Sequence, residues 1–245
     1  MNHNDRIELA RIIADQIVSR YGQDIIGIAL YGSVAKSEDA EYSDLEFWIA
    51  TTNKIPSREV LCIYKGQSIE LFYGPSEKFI ADTKTITPFW PLQADMRRSF
   101  IIMHEQENFF DRIHHAAMVL SEKDFNDAIR ERMLRTFELI GKLRNAWEIH
   151  DQYGILALAR DITFSFALII GLVNRSYYKS QRGMYQKSKE MPLKPDNYAE
   201  LIDIAGGFNS ANTEKVYNAA INLWEQTRRF VEDQGVVWER DELIL

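Results

Sequence analysis

At 245 residues, with 46% hydrophobic and 27% charged side chains, the chain has a globular composition and enough length for one large or two small domains. A formal net charge of −7 argues against a sequence-independent grip on nucleic acid, which needs a basic face, and leaves room for a cationic small molecule. Cys62 is the one cysteine, so an intrachain disulfide and a cysteine zinc cluster are both excluded.

In chain order, the first residues lack the basic and apolar regions of a signal peptide. Ile7, Leu9, Ile12, Ile13, Ile17 and Val18 recur at helical spacing over residues 5–20, and Tyr21-Gly22 ends that helix. Ile25–Tyr31 and Leu45–Thr51 read as strands. Val60–Tyr64 and Ile69–Tyr73 follow as two more, joined by a hairpin turn at Lys65-Gly66-Gln67. The opening domain is therefore expected to be a mixed sheet with helical cover. Residues 76–120 are less regular. Ser76 can cap a short helix through Asp82, Thr87-Pro88-Phe89-Trp90-Pro91 forms a rigid aromatic connector, and Phe100–Met103 can supply a further strand.

Ser121, with Asp124 at the capping-box position, marks a boundary that divides the chain into domains 1–120 and 121–245. Beyond it the pattern is helical. Phe125, Ile129, Met133, Phe137, Ile140, Leu143 and Trp147 form a core stripe over residues 124–150. Residues 155–179 make a more apolar helix, 196–205 and 213–234 make two others, and Gly206-Gly207 breaks between these last two. Lys179–Lys194 reads as a basic connection with one short helix. The fold class is α+β. The longest apolar stretch, Ile162–Val173, is about a dozen residues where a membrane span needs roughly 20, so a cytoplasmic protein without a membrane partner is expected.

The chemistry-bearing stretch runs from Ile28 to Ile49. An apolar strand ends in Gly32-Ser33, ten residues follow, and Asp44-Leu45-Glu46 opens the next strand. Residues two apart in a strand share a face, so Asp44 and Glu46 present paired carboxylates while Leu45 and Phe47 turn to the core. Such a pair suits Mg²⁺, a hard cation held by one or two carboxylates together with substrate phosphates. Gly32 lets the backbone approach a ligand, and the Ser33 N–H and hydroxyl can both donate to a phosphate oxygen. Asp-x-Glu alone is common on ordinary hairpins. The whole pattern resembles the signature of the DNA polymerase β-like nucleotidyltransferase superfamily.

A second polar group comprises Glu131, Arg135, Glu138, Lys142 and Asn145, a stripe beside the core face of their helix. Glu138 and Lys142 are four apart, which fits a solvated ion pair. Were the stripe to face the metal site, a glutamate could deprotonate a hydroxyl while a lysine stabilises phosphate charge. Periodicity leaves both readings open. His114-His115 are adjacent and suit a shared metal badly. Trp48, Trp90, Trp147 and Trp224 lie in apolar patterns that fit a core or an interface rather than stacking platforms, and Tyr177-Tyr178, which could line an acceptor groove, fit core packing better.

The segment Phe137–Asn145 resembles the helix that carries the proposed catalytic base of the aminoglycoside 4′-nucleotidyltransferases, the kanamycin nucleotidyltransferase family. Other pieces fall in the same order: Leu30-Tyr31-Gly32-Ser33, Tyr42–Glu46, Trp90-Pro91-Leu92, Gly171-Leu172 with Arg175 and Tyr178, and Leu223-Trp224. The resemblance implies homodimers with active sites at the subunit interface. It implies Mg²⁺ on Asp44 and Glu46, and a triphosphate, from ATP or another NTP, held near Gly32 by Ser33 and Lys36. It gives Glu138 as general base, Lys142 on the α-phosphate, and Glu70 facing a cationic acceptor of aminoglycoside type. One departure concerns the acceptor: the family carries an acidic residue in the region that aligns with Leu61, where Arg58–Gln67 offers only Glu59. The same chemistry on another small molecule or a protein, and a non-catalytic nucleotide-binding partner, are the alternatives.

Overall fold

The structure is a computed structural model that describes residues 1–239. Five strands, β1 (Ile25–Tyr31), β2 (Leu45–Thr51), β3 (Arg58–Tyr64), β4 (Gln67–Pro75) and β5 (Ile101–Glu105), form one mixed sheet of order β3-β4-β2-β1-β5. β1 runs antiparallel to β2 and to β5, and β3 antiparallel to β4, whereas β2 and β4 are parallel. The helices are α1 (His3–Tyr21), the single turn α2 (Gly32–Ala35), α3 (Ser76–Lys84), α4 (Trp90–Gln93) and α5 (Phe109–Met118). They continue as α6 (Glu122–Glu148), α7 (Gln152–Val173), α8 (Gln181–Glu190), α9 (Tyr198–Ala205) and α10 (Thr213–Asp233). The α+β class expected from the sequence is borne out.

The chain divides into two compact units, one of residues 1–85 and 94–120, the other of residues 86–93 and the chain from Ser121 onward. In the first unit β1 and β2 are covered on both faces, which is why their sequences read as near-continuous apolar runs. On one face Leu9, Ile13 and Ile17 of α1 pack against Ile28, Leu30, Phe47 and Ile49. On the other, Ala29, Trp48 and Ala50 meet Phe79 of α3 and Phe109, Phe110 and Ile113 of α5. β3, at the sheet edge, is largely exposed.

α5 is the element the sequence reading left out. Glu107 and Asn108, both at positive φ, turn the chain sharply from β5 into it, and the Glu105 carboxylate accepts the Phe110 N–H at 2.7 Å. His114 and His115 lie on its exposed side. One stacks on Phe100 and the other bonds the Asp111 carbonyl, so they share nothing.

Arg6 is 2% exposed, and its guanidinium ties α1 to the connection between α2 and β2. It donates to the Asp39 carboxylate at 2.8 Å, the Glu41 carbonyl at 2.7 Å and the Gln67 side chain at 3.3 Å. Gln67 in turn donates to the Ser43 carbonyl, and His3 contacts the second Asp39 oxygen at 2.6 Å. A buried guanidinium persists only when its donors are satisfied, and here the acceptors come mostly from one loop.

In the second unit, residues 86–93 pack with the helices that follow them by more than thirty positions in the chain. The Trp90 ring meets Phe125 edge-on at 4.9 Å, and the Pro91 carbonyl accepts the Tyr178 N–H at 2.6 Å. A Cβ at position 171 would stand 2.8 Å from the Pro91 Cβ, so Gly171 is required for that approach. α7 is longer than its uninterrupted apolar run, and it meets the length and composition of a membrane-crossing helix. Its residues 165–173 are all buried within the protein, as befits a core helix. Phe137 departs from the expected stripe. The buried face of α6 runs through Ile129, Met133, Thr136, Ile140 and Leu143, and Phe137, about 100° round from Thr136, is 53% exposed.

Replacing Arg6 with Ala leaves Asp39 buried without its cation. Urea unfolding is expected to show a loss of about 3 kcal/mol, and Arg6→Lys to recover only part, since an ammonium lacks the planar fork. An unshifted midpoint would mean that the loop is anchored by other contacts.

Candidate active site

The parallel register of β2 and β4 sets Glu46 directly opposite Glu70. Asp44, two residues before Glu46, projects to the same face. Carboxylate oxygens of Asp44, Glu46 and Glu70 all lie within 4.8 Å of one another. Tyr31 lies opposite Glu46 on the β1 side, and Leu61 opposite Glu70 on the β3 side.

Like charges this close resist ionisation. Burial, followed by the charges of Asp44 and Glu70, pushes the Glu46 carboxyl up to about 7, with Lys36 pulling the other way. Burial, then Glu59 and Asp44, also raise Glu70. Tyr31 is pushed up by burial first and then by the same carboxylates, so its phenol stays protonated. An all-oxygen donor set with a surplus of negative charge fits a divalent cation of the Mg²⁺ type, which would relieve the repulsion. Asp44 and Glu46 could hold it, with the Glu70 carboxylate within reach of the same ion or of a cationic group beside it.

Gly32 makes the arrangement possible. Its φ is 77°, and a Cβ there would stand 1.8 Å from the Glu46 Oε2, so any side chain would displace the carboxylate. Ser33 follows in the one-turn α2, whose carbonyls fold the chain back by accepting the Lys36 and Glu38 N–H groups. Lys36 is mostly buried and bonds Asp95 at 2.6 Å, and Asp95 also accepts from the Ser99 hydroxyl at 3.1 Å. Lys36 is thus a fixed positive charge near Glu46, and Asp95, which orients it, was not among the sequence candidates.

Glu138 and Lys142 belong to the second unit, on α6, where they pair with each other at 2.7 Å on an exposed face. The Lys142 hydrogen bond, then its charge, holds the Glu138 carboxyl below its ordinary range. Arg135 pairs beside them with Glu131 at 2.8 Å. Of the residues singled out from the sequence, Gly32, Asp44, Glu46 and Glu70 are in one cluster with Lys36 close enough to act on it electrostatically.

Comparison with known proteins gives a consistent pattern. Residues 107–237 match the profile described as the KNTase C-terminal domain. The chain is 21% identical over 238 residues to the aminoglycoside nucleotidyltransferase (4′) of Staphylococcus aureus, covering 97% of this chain and 94% of that one. The aminoglycoside nucleotidyltransferase (4′) of a Bacillus species matches with the same identity and coverage. Among solved structures, a nucleotidyltransferase-like protein from Exiguobacterium sibiricum 255-15 superposes with a TM-score of 0.59 at 11% identity, over 95% of this chain and 81% of that one.

A carboxyl whose pKa rises on folding stabilises the fold only while it is protonated. For Glu46 that contribution is complete below the ordinary value of 4.5 and is lost as pH climbs through about 7. Across that window the metal-free protein is expected to lose roughly 1–3 kcal/mol after allowance for solvent screening, and Glu46→Gln to keep it. Thermal melts in chelator at pH 5 and pH 8 would show the variant gaining on the wild type as pH rises, and Mg²⁺ at pH 8 restoring the wild type. Parallel curves for the two proteins would mean that the Glu46 carboxylate sits in ordinary solvent.

Proposed function

The chain belongs to the KNTase family, the aminoglycoside 4′-nucleotidyltransferases, and from that premise we propose that it transfers a nucleotidyl group from an NTP, ATP first among them, to a hydroxyl of a small cationic acceptor of aminoglycoside type. The observation that carries this reading is the close set of Asp44, Glu46 and Glu70 beside the Gly32-Ser33 turn. Such a set repels itself unless a cation and its phosphate ligands complete it. The reaction is of the antibiotic-resistance type and takes place in the cytoplasm, where NTP is abundant.

In the proposed reaction, Asp44 and Glu46 would hold Mg²⁺, which when bound would supply positive charge against the triphosphate. The Ser33 N–H and hydroxyl donate to a phosphate oxygen, and Lys36, fixed by Asp95, adds a stationary positive charge. Glu70 binds an ammonium group of the acceptor and so orients its hydroxyl. Glu138 takes the hydroxyl proton as the oxygen attacks the α-phosphorus in line, and the bond to pyrophosphate breaks. Lys142 donates to the α-phosphate oxygen as charge accumulates there. The active unit is a homodimer with its sites at the subunit interface, so Asp44 and Glu138 of one site come from different copies.

Glu138→Gln is expected to lower turnover by roughly two orders of magnitude with nucleotide affinity little changed, and to flatten the acid limb of the pH–rate profile. Asp44→Asn should remove turnover altogether. Refolding the two inactive variants together tests the dimer: sites built from two copies regain about a quarter of wild-type pyrophosphate release in a statistical mixture. Sites built from one copy regain none. Glu138→Gln with unaltered turnover would return that residue to an ordinary solvated ion pair.

A further inference from the structure

On the face of the sheet opposite Glu46 and Glu70, α1 covers β1 and β2 but leaves the edge strand β3 largely open. A groove of about 400 Å³ results, between the C-terminal half of α1 and the residues of β3 and β4 that alternate onto this face. Its floor is apolar: Val60 lies opposite Leu71, and Cys62 opposite Ile69. Arg20 and Arg58 stand together at one end, their guanidinium carbons 5.4 and 5.8 Å from the centre of the same Tyr21 ring. Arg58 also donates to the Tyr21 hydroxyl at 2.7 Å and lies 4.5 Å from the centre of the Tyr73 ring. Those partners are phenols, which orient a guanidinium without cancelling its charge. Other exposed arginines meet carboxylates, Arg112 on Glu77, Arg135 on Glu131 and Arg175 on Glu122. Yet on a chain with a net charge of −7, no acidic residue lines this groove.

We propose that this groove is a second ligand site, built for a small amphipathic anion: a carboxylate joined to an apolar body. Arg20 and Arg58 take the carboxylate, which supplies the counter-charge that the groove lacks. The body lies along Val60 and Leu71 and over Cys62, where it gains apolar burial. The volume is that of a small-molecule site, for which roughly 300–1,000 Å³ is usual. A cationic molecule suited to the carboxylates of the other face is repelled here, so the two faces of one sheet sort their ligands by charge. The inference does not depend on the proposed transfer reaction, since none of its residues enters that reaction.

Cys62 is the one cysteine of the chain and is exposed on the groove floor, so its alkylation by neutral iodoacetamide reports the site directly. The rate is followed in the full chain with decanoate or decyltrimethylammonium, both below their micelle thresholds. The two carry the same alkyl chain and opposite charges. Decanoate at saturation is expected to slow alkylation by about fivefold or more and the cation by less than about twofold, against the pull of the net negative charge. Arg20→Gln and Arg58→Gln each weaken decanoate binding by roughly tenfold, and added salt weakens it in the wild type. If losing the Tyr21 bond unfolds Arg58→Gln, as a thermal melt would show, Arg20→Gln on the exposed side of α1 carries the test. Equal protection by the two amphiphiles, or protection by neither, overturns the proposal. So does decanoate protection that Arg20→Gln leaves unchanged. Alkylation that is slow without ligand and speeds up on dilution puts a second copy of the chain over the groove and also overturns it.

Discussion

The constraint on which the first unit depends is the parallel register of β2 and β4, which forces Glu46 and Glu70 side by side with Asp44 on the same face. No gain in folding comes from that juxtaposition, since burial and mutual repulsion raise both glutamates. The two apolar layers on either side of β1 and β2 hold the strands in register regardless. Secondary features then follow from keeping the carboxylates where they are. Position 32 must lack a Cβ, because Glu46 occupies the space a Cβ would take. The loop that leads to Asp44 must be fixed, and the buried Arg6 fixes it through Asp39 and the Glu41 carbonyl. A site that stores like-charge repulsion in a rigid sheet is prepared for a cation rather than assembled by one.

The parts legible in the sequence are those that depend on local pattern. β1 and β2 read as apolar runs because both faces of each are covered, and the Asp44–Glu46 spacing needs only strand alternation. The adjacency of Glu46 and Glu70 could not be read that way. β3 follows β2 in the chain but lies at the edge, and β4 inserts between them, so the pairing is a matter of topology. Glu70 reached the list of candidates through resemblance, and the structure adds that its carboxylate lies in the cluster itself. Arg6 and Asp95 were invisible for the opposite reason. Each is an ordinary charged residue in a polar stretch, and only its partner, thirty-three positions along for Arg6 and fifty-nine back for Asp95, makes it a structural pivot.

The second unit shows how scattered motif pieces become one contact. Trp90-Pro91 and Gly171 with Tyr178 lie about eighty residues apart in sequence order, yet Pro91 sits on the missing side chain of Gly171 and bonds the Tyr178 backbone. Tyr178 is buried, its hydroxyl donating to the Ala167 carbonyl at 2.5 Å, which supports the core reading of that residue. The family-like order of these pieces is therefore a packing requirement of the second unit. Phe137 marks the limit of periodicity as a guide. A regular stripe of large apolar residues runs down α6, but the face that is buried takes Arg132 and Thr136 and leaves the phenylalanine outside.

Glu138 and Lys142 raise a different question, because an exposed ion pair is ordinary and a depressed carboxylate is a poor base. The pair is nevertheless suited to the proposed chemistry for a reason its own geometry supplies. What depresses Glu138 is chiefly the hydrogen bond from Lys142, followed by the lysine charge. In the proposed reaction a phosphate oxygen would compete for the same ammonium protons, and a Lys142 turned to it would leave the carboxylate without the partner that holds it down. On that reading, part of the proton affinity of Glu138 would return when a nucleotide occupies Lys142. Coupled in this way, an i,i+4 pair would link nucleotide binding to base strength through a single shared hydrogen bond. The spacing that makes the pair look structural is the same spacing that the proposed coupling would use.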